Sequence, residues 1–591
     1  MTEPGGRRAS SSSAVITPPP TGSPTRHTRE LARRRLAILA GVAAISLIGG
    51  LVMGARHVSP AQRTGEQFAN AWVRGDYGAM WRLLDAGSRK HTRPARFSAA
   101  YEHARRLATV ESYERDGDAR DRDGYIEVPL LVTTRSFGTL RLPLRLPVSE
   151  GRVSWSPNLT FPGVAKGEAL RRSLRAPDRA SLLARDGKVL AEGPAGARSS
   201  PLGATASAIA GSLGAPETDS ERAYLYEHGF SPSSPIGRSG LERAFDERLR
   251  GTPGGQLYAG HTLLASSSPR AASKLRTTID IKLEAAAVQA LAGRLGGVAA
   301  LDPRTGEVRA LAGIAFSAPQ PPGSTFKIVT ATAALEAGLV KLDTPFPVET
   351  KAVIDGVDLE NANGESCGGT FAQSFAHSCN SVFAPLGVKI GAKRLVETAE
   401  RFGFNRDPKI PGAVASTIPK PAQISSPLAV GSSAIGQFRL LATPLQMAQI
   451  AQVVAAGGVL HPATLLPVDG HARGRRVMPR RVASQLEKLM IGVVDYGTGT
   501  RAQLGGRTKV AGKTGTAELE ATVKRDQPGA PEMQPTPSET KEPPESKTDA
   551  WFAAYAGVRH PKVAVSVMLV RAGAGGDTAA PAAKTVILAA L

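Results

Sequence analysis

Ser324 and Lys327 stand three residues apart in Pro322-Gly323-Ser324-Thr325-Phe326-Lys327, where an apolar run from Phe326 to Leu335 begins before Gly338. Read as a buried helix, this run puts positions i and i+3 on one face, so the lysine amine can reach the serine hydroxyl. The chemistry is nucleophilic catalysis. A serine hydroxyl is a weak nucleophile until a base takes its proton, and a lysine is a base only where a dry, cation-rich site lowers its pKa. A helix start also supplies free N–H groups and partial positive charge beside the serine.

Ser-x-x-Lys alone is a weak signal, since Ser538-Glu539-Thr540-Lys541 matches it in a stretch rich in Pro, Glu and Lys with no core around it. Two further motifs downstream distinguish Ser324. Ser378-Cys379-Asn380 comes 54 residues later (378 − 324) and Lys513-Thr514-Gly515 another 135 later (513 − 378). In that order the three motifs are the signature of penicillin-recognising serine acyl-transferases. The other Ser-x-Asn, Ser156-Pro157-Asn158, precedes the nucleophile and has the wrong order. Singly, Ser378 reads as a helix cap, Asn380 as a turn residue, Thr514 as strand filler and Lys513 as a solvated charge; the order and framing of all of them favour chemistry.

The elements that position these residues belong to a chain of 591 residues with net charge +22, long enough for two to four domains. The charge suits a surface beside anionic lipid or wall polymer. Without interleaved aromatics or zinc-finger spacing it does not point to nucleic acid. Leu36 to Ala55 is uncharged, largely apolar and 20 residues long, and comes directly after Arg33, Arg34 and Arg35. It reads as an uncleaved membrane anchor, with the N-terminus cytoplasmic and everything after Arg56 outside. Cys367 and Cys379 are the only cysteines. Two readings stay open for them, a bridge in an oxidising compartment or two buried thiols, and we expect the bridge. Neither fits metal-ligand spacing, and no metal or cofactor is expected.

Residues 1–35 read as a disordered cytoplasmic tail. Helical spacing appears at Gln62–Gly75, Tyr77–Leu84 and Arg96–Ala108, then a strand alternating through Leu140, Leu142, Leu144, Leu146 and Val148. Asp186-Gly187 marks a hairpin, and Gly240-Leu241-Glu242 precedes a helix through Arg250. Thr277–Asp280 reads as a strand before a helix Lys282–Leu295; Gly297–Asp302 and Val308–Gly313 read as paired strands. Thr443, Pro444 and Gln446 spell a helix start with a capping box. Leu519 to Thr548 holds six prolines and no aromatics and reads as an exposed insert. Strands resume at Asp549–Phe552 and Val563–Val570, and Ala579–Leu591 closes as a helix.

With these motifs placed, the chain resembles the class B penicillin-binding proteins, the monofunctional D,D-transpeptidases of peptidoglycan synthesis. The resemblance implies an α+β multidomain protein in five parts. These are the tail 1–35, a membrane-anchor helix 36–55, a small cone-like domain 58–163, an extended dimerisation or pedestal domain 167–270 and a transpeptidase domain 274–591. The cone-like domain is of the nuclear-transport-factor-like, methicillin-resistance (MecA) type. Arg179, Asp186-Gly187 and Gly240-Leu241-Glu242 carry the pedestal match. The three motifs and Leu441–Ala448 carry the transpeptidase match, a β-lactamase-like fold with a central antiparallel sheet and flanking helices.

The resemblance also implies roles. Ser324 would attack a D-Ala-D-Ala stem peptide and form an acyl-enzyme, with Lys327 as base. Ser378 would relay the proton to the leaving D-alanine, and Asn380 would hold the substrate amide and orient Lys327. Lys513 would supply charge for the terminal carboxylate, bound by Thr514 and Thr516 along the strand that includes Gly515. Backbone N–H groups of Ser324 and Thr516 would form the oxyanion hole. An amine of a neighbouring stem peptide would take the acyl group. β-Lactams would inhibit covalently, and a glycosyltransferase of the cell-wall machinery, in cell division or cell shape, would be the partner. The site would lie outside a bacterial plasma membrane crossed once.

Three departures from the family pattern stand out. Ala180 replaces a usual Gly, Gly436-Gln437-Phe438 replaces Gly-Gln-Gly, and the insert after Glu518 is longer than usual. The space before the transpeptidase domain is filled by two smaller domains, so no glycosyltransferase region is expected. A β-lactam sensor or serine β-lactamase-like protein shares the motifs but needs no such scaffold; a non-catalytic scaffold should have lost Ser324 or Lys513.

Overall fold

The computed structural model describes residues 58–469, 474–506, 508–518 and 547–591. The expected tail and anchor, the second Ser-x-x-Lys at Ser538 and most of the insert after Glu518 lie outside the described residues. Among the described residues no helix is long and apolar enough to cross a membrane. The chain divides into two compact units. One holds the described part of Met1–Ala100 with Tyr113–Leu131 and Arg141–Gly163; the other holds Tyr101–Ser112, Val132–Leu140 and Val164–Leu591.

In the first unit, helices Pro60–Val73 and Tyr77–Arg82 match the apolar spacing, and a further helix, Ala86–His91, was not expected from it. Each starts on a polar cap: Ser59, Asp76 and Asp85 accept N–H bonds from Gln62, Ala79 and Ser88, satisfying donors that a helix start leaves orphaned. The third helix is short, and no residue in it is buried, which is why apolar periodicity could not reveal it. Ile126, Val128 and Leu130 alternate into the interior of this unit.

In the second unit, Leu170–Arg175, Gly254–Ala259 and Thr262–Ser267 form an antiparallel sheet. Asp186-Gly187 turns between Leu182–Leu183 and Val189–Ala191, with Gly187 at φ +88°. Arg179 and Glu242 meet in a buried ion-pair cluster: Arg179 Nη2 lies 2.6 Å from Glu242 Oε2 and 2.9 Å from Asp246 Oδ1, and Arg198 Nε donates to Glu242 Oε1 at 2.7 Å.

The larger part is built on a five-stranded sheet of β1 (Gly296–Leu301), β2 (Val308–Gly313), β3 (Val510–Glu518), β4 (Thr548–Ala556) and β5 (Val563–Leu569). The order is β2-β1-β5-β4-β3, with every pair antiparallel. Around it stand α1 (Ile281–Leu291), α2 (Lys327–Glu336), α3 (Phe371–Ala376), α4 (Asn380–Ile390), α5 (Pro444–Ala455), α6 (Arg480–Asp495) and α7 (Ala579–Ala590). Leu283 and Ala287 of α1 and Val586 and Ile587 of α7 pack with Val298, Ala300, Val565 and Val567. Ala299, Leu301, Ala564 and Met568 join the second core, with Ile328 and Val329 of α2 and Met447 and Ala448 of α5. Both faces being covered, β5 is buried at every position, so it reads as a continuous apolar run rather than an alternation.

Three local expectations are corrected. The strand expected at Thr277–Asp280 is Leu275–Arg276, and Asp280 is the cap of α1, its carboxylate accepting from Lys282 N and Leu283 N. That helix ends at Leu291, not Leu295, because Ala292 turns left-handed at φ +49°. At α5, Thr443 Oγ1 accepts from Gln446 N, but the return bond of the capping box is absent. The Gln446 amide donates to the Phe402 carbonyl, and Thr443 N–H donates to Ser416 Oγ. Partners distant in sequence displaced the local one.

Candidate active site

Ser324 sits half-buried on a 3₁₀ turn, Gly323–Phe326, that runs directly into α2. Among the described residues its hydroxyl has no hydrogen-bond partner. The turn is pressed against β3 by bare backbone. A Cβ on Gly323, whose φ is +51°, would stand 2.6 Å from the Thr516 carbonyl oxygen, and one on Gly515 would stand 2.8 Å from the Pro322 carbonyl. Gly436 closes the other side: Gly323 N–H donates to its carbonyl at 3.0 Å, and a Cβ there would overlap the Gly323 carbonyl. Phe438, which stands where the family pattern has glycine, adopts φ +63°. The loop thus keeps a glycine-like backbone with a bulky residue, a conformation that costs on the order of 1–2 kcal/mol for an L-residue.

Lys327, the first residue of α2, is fully buried. Its Nζ donates to Ser378 O at 2.6 Å, Asn380 Oδ1 at 2.7 Å and Ser378 Oγ at 3.2 Å. Asn380 opens α4 and fixes its own amide by donating Nδ2–H to the Glu360 carbonyl at 2.6 Å. Ser378 lies in the turn between α3 and α4 with φ +62°, which aims its hydroxyl back at both lysines. Lys513, on the edge strand β3 and also fully buried, donates to Ser378 Oγ at 2.8 Å and to Thr514 O at 3.0 Å.

Two buried amines with no carboxylate partner among the described residues cannot both keep ordinary lysine pKa values. Burial, reinforced by the charge of Lys513, holds the Lys327 amine well below the usual lysine range. Burial alone lowers Lys513 to about 7. The nearest companions are ring faces, Phe383 at 5.5 Å from Lys327 Nζ and Phe375 at 5.7 Å from Lys513 Nζ, which attract a cation without supplying a counter-charge. Among the described residues no hydrogen bond joins Lys327 Nζ to Ser324 Oγ, three positions earlier in the chain; a serine activated by such a base can attack a carbonyl and hold an acyl group.

Cys367 and Cys379 form a disulfide with Cα atoms 5.4 Å apart. Because Cys379 is the middle residue of Ser378-x-Asn380, the bridge ties that turn to the strand Cys367–Thr370. Thr514 is buried, while Thr516 Oγ1 accepts weakly from Gly575 N at 3.5 Å. One neighbour was not anticipated. Thr498 Oγ1 lies 2.5 Å from Thr514 Oγ1, and its only sequence signal is a threonine between Gly497 and Gly499 just after α6. Glu360 contributes through its backbone, which no motif could announce.

The model of the penicillin binding protein transpeptidase domain matches residues 296–588, and that of the penicillin-binding protein dimerisation domain matches residues 193–262. Peptidoglycan D,D-transpeptidase PbpA of Mycolicibacterium smegmatis is 30% identical over 437 residues, 62% of this chain and 81% of that protein. PbpA of Mycobacterium tuberculosis is 34% identical over 307 residues, 47% of this chain; the match spans little more than half of that relative, 56%. The penicillin G acyl-enzyme structure of penicillin-binding protein A from M. tuberculosis superposes with TM-score 0.53 at 26% identity, covering 70% of this chain and 99% of that one. The chain belongs to the class B penicillin-binding protein family.

Proposed function

We propose that this chain is a D,D-transpeptidase that cross-links peptidoglycan stem peptides. The observation that carries the proposal is the meeting of Lys327, Ser378, Asn380 and Lys513 through hydrogen bonds, with Ser324 on the turn that leads into the helix of Lys327. The neutral Lys327 amine takes the Ser324 proton as Oγ bonds to the carbonyl carbon of the penultimate D-alanine. The amide bond breaks, and the departing D-alanine nitrogen receives its proton from Ser378 Oγ, which is replenished from Lys327. The product is an ester on Ser324. An amine of a second stem peptide then attacks that ester, gives up its proton along the same groups, and restores the serine hydroxyl.

Lys513, Thr514 and Thr516 hold the donor's terminal carboxylate, and the N–H groups of Ser324 and Thr516 receive the oxyanion. Penicillin enters the same site because its strained amide carries a carboxylate at a similar distance. The apolar run Leu36–Ala55 behind Arg33–Arg35 supports anchorage in the plasma membrane with the catalytic unit outside. Residues 58–163, read as the nuclear-transport-factor-like domain, hold no nucleophile–base pair in the sequence and serve as a spacer. A glycosyltransferase supplies the glycan strands whose stem peptides are joined.

Incubating the full chain in detergent with a D-Ala-D-Ala-terminated stem pentapeptide tests this. Intact mass should show one stem-tetrapeptide adduct, mapped by digestion to Ser324, with one D-alanine released per adduct, and an added amine acceptor should discharge it. Release of D-alanine without an adduct on Ser324 rejects the proposal.

A further inference from the structure

Thr498 touches two pieces of the site, the end of α3 and the strand β3. It comes just after α6 in Tyr496-Gly497-Thr498-Gly499, with its backbone laid against the end of α3. Thr498 N–H donates to the Ala376 carbonyl at 3.1 Å, one of the carbonyls a helix end leaves without an intrahelical partner. Gly497 makes that approach possible, since a Cβ there would stand 2.3 Å from the Ala376 oxygen. Ala376 is two residues before Ser378. The Thr498 side chain, half-buried, reaches the other way to Thr514 Oγ1 at 2.5 Å, with the Ala376 oxygen 3.3 Å from its hydroxyl.

A hydroxyl has one proton to give, and the short contact between Thr498 and Thr514 needs one donor. If Thr514 is that donor, it presents only lone pairs to the cleft, and lone pairs repel a carboxylate. If Thr498 is the donor, the Thr514 proton is free to point at the ligand. The Ala376 carbonyl is already served by the Thr498 N–H, and its distance to the Thr498 hydroxyl is the longer of the two. The hydroxyl proton of Thr498 therefore goes to Thr514.

We propose that Thr498 is a positioning residue that aims the Thr514 hydroxyl at the carboxylate of the acyl donor, making preference for a carboxylate-bearing donor depend on a side chain outside the three motifs. This rests on the acyl-transfer reading of the site. A hydroxyl donating into Thr514 also polarises it, strengthening the charge-assisted bond Thr514 makes.

The test uses the full chain in detergent and two probes, a penicillin and its carboxyl methyl ester, with acylation rates measured by intact mass. The wild type should acylate faster with the free carboxylate. Thr498→Val, which keeps the shape and removes the hydroxyl, should lower that preference about tenfold, the loss of one hydrogen bond to a charged group, and leave the ester's rate unchanged. Thr498→Ser should restore the preference. Thr498→Val combined with Thr514→Val should lose no more preference than Thr514→Val alone. Thr498→Ala gives the same comparison if the valine variant does not fold. A wild type without preference, or an equal fall with both probes, overturns the inference while leaving the transpeptidase reading intact. A wild type that neither probe acylates overturns that reading itself.

Discussion

Lys513 Nζ lies 2.8 Å from Ser378 Oγ, joining the middle of an edge strand to the turn between two helices. The same hydroxyl is within 3.2 Å of Lys327 Nζ, so a single side chain bridges two buried amines. Burial lowers both amines and the charge of Lys513 lowers Lys327 further, so these two groups set the pH dependence of the reaction.

Acylation should be bell-shaped in pH. Lys327 must be neutral to take a proton, so the rate rises with pH through its lowered pKa. Lys513 must be charged to hold a carboxylate, so the rate falls as pH rises above about 7. Lys513→Arg keeps its charge at all working pH values and should move the falling limb to higher pH in stopped-flow penicillin acylation. A falling limb that stays in place removes Lys513 from its assignment.

Asn380 Oδ1 accepts from Lys327 at 2.7 Å. Asn380→Asp puts a negative charge there, which favours the ammonium form and should shift the rising limb up by about one to three pH units. Acylation at neutral pH should fall, and raising the pH should recover part of it. An unchanged rising limb means that Lys327 is not the titrating base.

Glu242 is fully buried between Arg179 and Arg198. Removing it leaves Arg198 without its carboxylate partner and Arg179 with Asp246 alone, so Glu242→Ala should cost about 3 kcal/mol of stability. Denaturant unfolding checks this; a loss below about 1 kcal/mol would show that water reaches the pair.

Reducing the Cys367–Cys379 bridge releases a loop with a sequence separation of 12 and should cost about 2–3 kcal/mol. It also frees the turn that carries Ser378 and Asn380, so the acylation rate should fall with the melting temperature. Two alkylated thiols in the unreduced protein would contradict the bridge.

Much of the site was legible because its chemistry is written in short local patterns. The order of the motifs anticipated the meeting of Lys327, Ser378, Asn380 and Lys513, whereas helical spacing put Ser324 and Lys327 near each other without a hydrogen bond between them among the described residues. The strands at Val308–Gly313 and Val563–Leu569 were legible from composition. What escaped was long-range. Thr498 and the Glu360 carbonyl act through contacts set by the fold; Gly436 was marked by the family pattern, but its packing against the nucleophile turn, which leaves no room for a Cβ, was not. The capping box at Thr443 failed since Phe402 and Ser416 offered better partners than the local ones. Asp280 read as a strand end because a single cap residue has no periodicity.

The most direct test of the account is covalent labelling with a fluorescent penicillin. Full-length wild type should label at Ser324, identified by peptide mapping. Ser324→Ala should not label at all, while Ser538→Ala, which alters the second Ser-x-x-Lys, should label like the wild type. Labelling that survives Ser324→Ala, or is lost in Ser538→Ala, would contradict the assignment of the nucleophile and with it the proposed reaction.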